Sequence, residues 1–139
     1  MSFIRTHKIE ICVFILALAA RFLYFGLSLS ANGGDLITAV NGGDGYYDIS
    51  QNILAGHGYS AAHMLPYVPT SYRTPGMPYF IVWTYAIFGS YFAVVLIQIV
   101  LGSIVPLLGM RIARYLSEVR RVPIIVGIFL ALEPTSILF

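Results

Sequence analysis

From Pro75 to Met110 the chain carries no aspartate, glutamate, lysine, arginine or histidine. A run of that length cannot form the surface of a water-soluble domain, in which about a quarter of residues are charged. Two further apolar runs, Ile11 to Leu29 and Val122 to Phe139, flank it, and one polar block, Ala31 to Thr74, divides the first run from the second. Only 10% of the chain is charged and 58% is hydrophobic, so the pattern predicts membrane spans joined by loops. The net charge of +2 is too small and too scattered for a nucleic-acid surface. Cys12 is the one cysteine, which excludes a disulfide framework and a thiolate metal site.

Charge placement sets the expected direction of the spans. Arg5 and Lys8 precede the first run, and Arg111, Arg114, Arg120 and Arg121 surround a short connection after the second. The positive-inside rule puts both groups in the cytoplasm, so an even number of crossings separates them. The first run is one crossing, and a cleavable signal peptide is its alternative. Pro75 to Met110 then crosses once, over 91–110. The remainder, Pro75 to Phe88, is expected to lie along the outer surface, where Tyr79, Phe80, Trp83, Tyr85 and Phe88 suit the interface. Thr74 and Pro75 supply a cap and first position for this helix and Gly89 its end. The expected fold is an all-α membrane protein with three transmembrane helices (about 11–29, 91–110 and 122–139) and a long first outer loop (30–90). The absence of a polar flank after Phe139 predicts a fragment of a longer protein, located in a bacterial-type plasma membrane with a cytoplasmic amino terminus.

Within the loop, Asn41 to Gly56 reads as a turn, an amphipathic helix and a glycine stop. Tyr46, Ile49, Ile53 and Leu54 share one side at helical spacing, and Asp44, Asp48 and Gln51 another. Asp44 stands at the helix start, where a carboxylate can act as a general base and where aspartate is also a preferred cap. Asp44 and Asp48 could share a divalent cation through oxygen ligands, although carboxylates one turn apart are common on solvated helix faces. His57 and His63 are ordinary loop histidines. Arg73, in a proline-rich extended stretch, suits a phosphate through its planar fork of donors, or the headgroups of ordinary lipids.

Two ionisable residues fall inside the runs, Arg21 in the first and Glu133 in the third, and such residues are functional candidates by default. They could pair with each other. Pro134 disturbs the helix after Glu133 and can turn its carboxylate toward a watery cavity.

The order of these features resembles the amino-terminal region of the GT-C superfamily of membrane glycosyltransferases, especially the branch containing protein O-mannosyltransferases and lipid A aminoarabinose transferases. The resemblance rests on Asp44 and Tyr47 ahead of Leu54-Ala55-Gly56-His57-Gly58-Tyr59-Ser60, then Tyr72-Arg73-Thr74-Pro75-Gly76-Met77-Pro78. It implies juxtamembrane helices in the first outer loop and a catalytic acidic residue, acting as base, at Asp44. Many members carry two adjacent acids there, whereas Gly45 follows Asp44 here. The implied donor is a sugar on a polyprenyl phosphate, and the acceptor a lipid, glycan or protein. Asp44 would deprotonate the acceptor, Arg73 would neutralise the departing phosphate, and a single displacement would invert the anomeric carbon. Tyr47, Asp48 and Glu133 join Arg73 as candidate substrate contacts. The competing expectation is a transporter or channel subunit with Arg21 and Glu133 on a permeation path, or a non-catalytic membrane fragment.

Overall fold

The computed structural model describes residues 2–40, 44–119 and 121–133, all helix and connections with no strand among them. The helices are α1 (Ser2–Ala31), α2 (Leu36–Val40), α3 (Tyr46–Leu54), α4 (Gly76–Phe88), α5 (Tyr91–Leu116) and α6 (Val122–Leu132). They form two compact units, one of Met1–Leu27 with Leu96–Phe139 and the other of Ser28–Val95.

Two helices are long and apolar enough to cross a membrane, Lys8–Ala31 and Tyr91–Leu116. The first exceeds the expected 11–29 at both ends and the second runs six residues beyond 110, because neither Arg111 nor Arg114 interrupts a helix at its carboxyl end. The third expected span is only partly described. α6 has 11 residues, about 16 Å of rise, and residues 134–139 lie outside the described part, as do Asn41 to Gly43 of the loop and Arg120. Glu133 is not inside a helix, as the sequence suggested. It is the C-cap of α6 with extended backbone (ψ 121°), the conformation that a following proline imposes.

In the first unit, Val13 and Ala17 of α1, Met110 of α5 and Ala131 of α6 form a buried cluster, with Ile9 and Leu107 against it. Glycines let these helices approach. A Cβ at Gly127 would meet Met110 Cγ and Sδ at 2.6 Å and Val13 Cγ1 at 3.3 Å, and one at Gly109 would meet Leu130 Cδ1 at 2.3 Å. Small residues at such contacts are how helices associate when the hydrophobic effect cannot help. Arg114 Nη1 donates to Glu10 Oε1 at 2.5 Å, so the lysine-bearing end of α1 and the arginine-bearing end of α5 share one end of this unit. The unit exposes large apolar side chains around this apolar cluster and buries polar ones beside it. Arg21 and Ser103 are buried, whereas Leu23, Leu27, Leu101, Leu108, Ile125 and Phe129 are exposed, and an arrangement of that kind fits an apolar solvent.

The second unit begins in the last turn of α1. Asn32 ends the helix, Gly33 takes φ +64°, and the Gly33 and Gly34 amides return to the carbonyls of Ser30 and Leu29, a Schellman closure. α2 follows, five residues that the sequence reading left in the loop, capped by Asp35, whose carboxylate accepts from the amides of Ile37 and Thr38 and from the Thr38 hydroxyl. α3 packs on α4, burying Ile49, Ser50 and Asn52 from one side and Pro78, Ile81 and Thr84 from the other. Ile49 faces inward as expected, but Leu54 is exposed. α4 is capped by Pro75 without any side-chain hydrogen bond, so Thr74 does not serve as its cap, and it ends at Gly89 in the left-handed region, as the sequence indicated.

The close contact at Gly127 carries a stability prediction. Gly127→Leu is expected to destabilise the first unit by about 1–3 kcal/mol through overpacking against Met110. Gly26→Leu, at a helical position where an added Cβ meets nothing within 4 Å, should leave unfolding in detergent near wild type. Equal midpoints for the two variants would reject the packing argument.

Candidate functional site

The second unit folds its loop back on itself. At the end of α3, Gly56 takes φ +80°, its amide bonds the Ile53 carbonyl and the His57 amide bonds the Asn52 carbonyl, again a Schellman closure. The side chain of the same Asn52, buried beneath the loop, donates to the carbonyls of Ser60 at 2.7 Å and Ala62 at 2.9 Å. His57 stacks on Tyr67 with centroids 3.8 Å apart, and its Nδ1 lies 3.4 Å from Asn52 Oδ1. The Thr70 amide donates to the Tyr59 carbonyl at 2.9 Å, and the Tyr59 hydroxyl donates to the Arg73 carbonyl at 2.9 Å. Arg73 is thereby delivered to the amino-terminal end of α3.

There Arg73 Nε donates to the backbone carbonyl of Asp44 at 2.5 Å. Its guanidinium carbon lies 4.4 Å from the ring centroid of Tyr72 and 5.4 Å from that of Tyr46, within cation–π range. Two candidates 29 residues apart in sequence therefore converge. The arginine holds the carbonyl of Asp44 and not its carboxylate. Asp44 Oδ1 accepts from the Tyr46 amide at 3.0 Å, while Gly45 (φ +80°) occupies the N-cap position proper. Asp44 thus contributes to capping from one residue before the cap, by one oxygen. Among the described residues, Asp44 Oδ2 and the two terminal nitrogens of Arg73 have no hydrogen-bond partner. Both residues are half-buried, which leaves an acceptor for a proton and a fork of donors for an anion at the start of one helix.

The other candidates take different places. Asp48, in the first turn of α3, faces His63 Nε2 at 4.0 Å, so Asp44 and Asp48 have separate partners. No three of His, Cys, Asp and Glu converge among the described residues. Tyr47 packs edge-on against Tyr91, centroids 5.2 Å apart; Tyr91 stacks on Tyr85 at 4.5 Å and accepts from Gln51 Nε2. Burial pushes the Tyr47 phenol above its ordinary value, helped by the neighbouring charges of Asp48, Tyr85 and Asp35. Tyr59 is raised in the same way, first by burial. Asp35 is lowered, first by the Thr38 hydroxyl. Glu133 lies in the other unit, at the end of α6.

The sequence reading gave no site role to Asn52, Tyr59 or Tyr72. Asn52 carried a signal, a polar residue on the apolar side of α3 three positions after Ile49. Comparison of the chain with protein-family models, with characterised proteins and with solved structures returns no match.

Asn52→Ala would orphan two carbonyls, a loss of roughly 1–3 kcal/mol for each buried group left unpaired. Faster protease cleavage between His57 and Tyr72 is the expected readout, and unchanged cleavage would show that the amide does not hold the loop. Tyr47 gives a pH prediction. Its folded pKa is raised, so the contribution of its neutral form is fully present below about pH 10 and is lost as pH rises through the higher folded value. Tyr47→Phe should flatten the alkaline fall in thermal stability, and an unaltered profile would contradict this.

Proposed function

We propose that this chain is the membrane-embedded amino-terminal part of a GT-C-like glycosyltransferase, with a lipid-phosphate sugar donor and its site at the start of α3. The observation that carries the reading is the convergence of Asp44 and Arg73 through the Arg73 Nε to Asp44 carbonyl bond. That bond fixes the arginine without neutralising the carboxylate. Asp44 Oδ2 would take the proton of the acceptor hydroxyl or amine as it attacks the anomeric carbon. The bond to the lipid phosphate breaks, and the terminal nitrogens of Arg73 would receive the departing negative charge. Orientation follows from the arginine-rich end of the first unit, which would be cytoplasmic, with the second unit outside. α1 and α5 would cross the bilayer, α6 would open a third span, and α4 would rest on the outer surface. Tyr47 and Asp48 flank the site on α3.

A permeation path is less well supported. Arg21, its chief sequence argument, is buried against Gly102, whose added Cβ would lie 2.8 Å from Arg21 Nε, and Nη1 donates to the Ala17 carbonyl at 3.2 Å. These contacts describe an embedded side chain, not one lining an aqueous route.

Asp44→Asn separates the two roles of this residue, because asparagine caps a helix as well as aspartate but cannot serve as the base. Transfer of labelled sugar from a polyprenyl-phosphate donor by the full-length protein should fall by about 10²–10⁴-fold at equal membrane abundance. Near-normal transfer would reduce Asp44 to a helix-capping residue.

A further inference from the structure

The segment between His63 and Tyr72 runs against the usual chemistry of an exposed loop. Met64 is 76% exposed, Leu65 79%, Val68 63% and Tyr72 75%, although each has apolar surface to hide. No aspartate, glutamate, lysine or arginine occurs between Asp48 and Arg111 except Arg73, so no formal charge within the segment holds it in bulk water. The loop is nevertheless well tied at its base, by Asn52 to Ser60 and Ala62 and by Tyr59 to Thr70 and Arg73. A fixed base with an apolar rim describes a surface built for contact.

We propose that Met64, Leu65, Val68 and Tyr72 enter the headgroup–acyl boundary of the bilayer, so that the loop is a second membrane anchor beside α4. Two observations choose lipid as the occupant. The lone formal charge in this long stretch is positive, stands next to Tyr72 and has its terminal nitrogens open, which complements lipid phosphates. Arginine, tyrosine and aliphatic residues together are also the composition of an interfacial anchor. Secondly, both chain ends of the unit run directly into candidate spans, Ser28–Ala31 being the last turn of α1 and Tyr91–Val95 the start of α5, which keeps it at the membrane surface. The inference rests on the membrane placement proposed above but not on the chemistry of Asp44.

The test uses the full-length protein in vesicles of phosphatidylethanolamine and phosphatidylglycerol. Cys12 is the only cysteine and Trp83 the only tryptophan of these 139 residues, so in a full-length background with Cys12→Ser and every cysteine and tryptophan outside these residues replaced, a polarity-sensitive fluorophore can be placed by Leu65→Cys or Val68→Cys. Trp83, 68% exposed on α4, reports the helix independently. Both probes should lose most of their emission to lipids carrying a shallow nitroxide. Quenching of Trp83 without quenching at 65 or 68 would overturn the loop anchor while leaving α4 on the membrane. Blue-shifted but unquenched label would assign the loop to a protein partner and equally overturn it. Absence of quenching at all three positions would remove the surface placement of both elements.

Discussion

One buried amide organises the loop between α3 and α4. Asn52 receives the closing bond of the helix on its backbone carbonyl and ties the following loop through its side chain. From there the bonds pass through Tyr59 to Arg73 and from Arg73 to Asp44, returning to the first turn of the helix they left. A ring of this kind needs every member, because a buried carbonyl without a donor costs more than the bond itself contributes. The position of the arginine at the helix start is therefore decided at the opposite end of the same helix.

The first unit depends on a different economy. Its helices present leucine, isoleucine and phenylalanine outward and keep Arg21 and Ser103 within. Close packing at Gly109 and Gly127 and the Glu10–Arg114 pair at one end hold these helices together, the kind of contact on which association rests where aliphatic burial gains little. The two units thus rest on different physics, one on polar closure of a loop and the other on steric fit between helices.

The features legible in the sequence were those set locally. Gly56 and Gly89 announced helix ends because only glycine enters the left-handed region without strain, and both are found there. Tyr91 as the start of α5 followed from the Gly89 break. α2 was hidden because five residues are too few to show a helical period, although Asp35 ahead of Leu36 was its cap in plain view. Asp44 was readable as a residue at a helix start, but its geometry was not, since the glycine after it takes over the cap. That Arg73 would seek the carbonyl of Asp44 depends on how an 18-residue return of chain is tied by Asn52 and Tyr59, which no spacing reveals. Glu133 was misplaced by weighing the apolar run above Pro134, whose backbone restriction ends the helix there.

Pro106 inside α5 cannot donate to the carbonyl of Gly102, and the guanidinium of Arg21 lies over that same glycine with no room for a methyl group. Positions 21 and 102 are therefore coupled by fit, since a methyl group at 102 requires the Arg21 side chain to move. In a lineage carrying this helix pair, glycine at 102 should accompany arginine at 21.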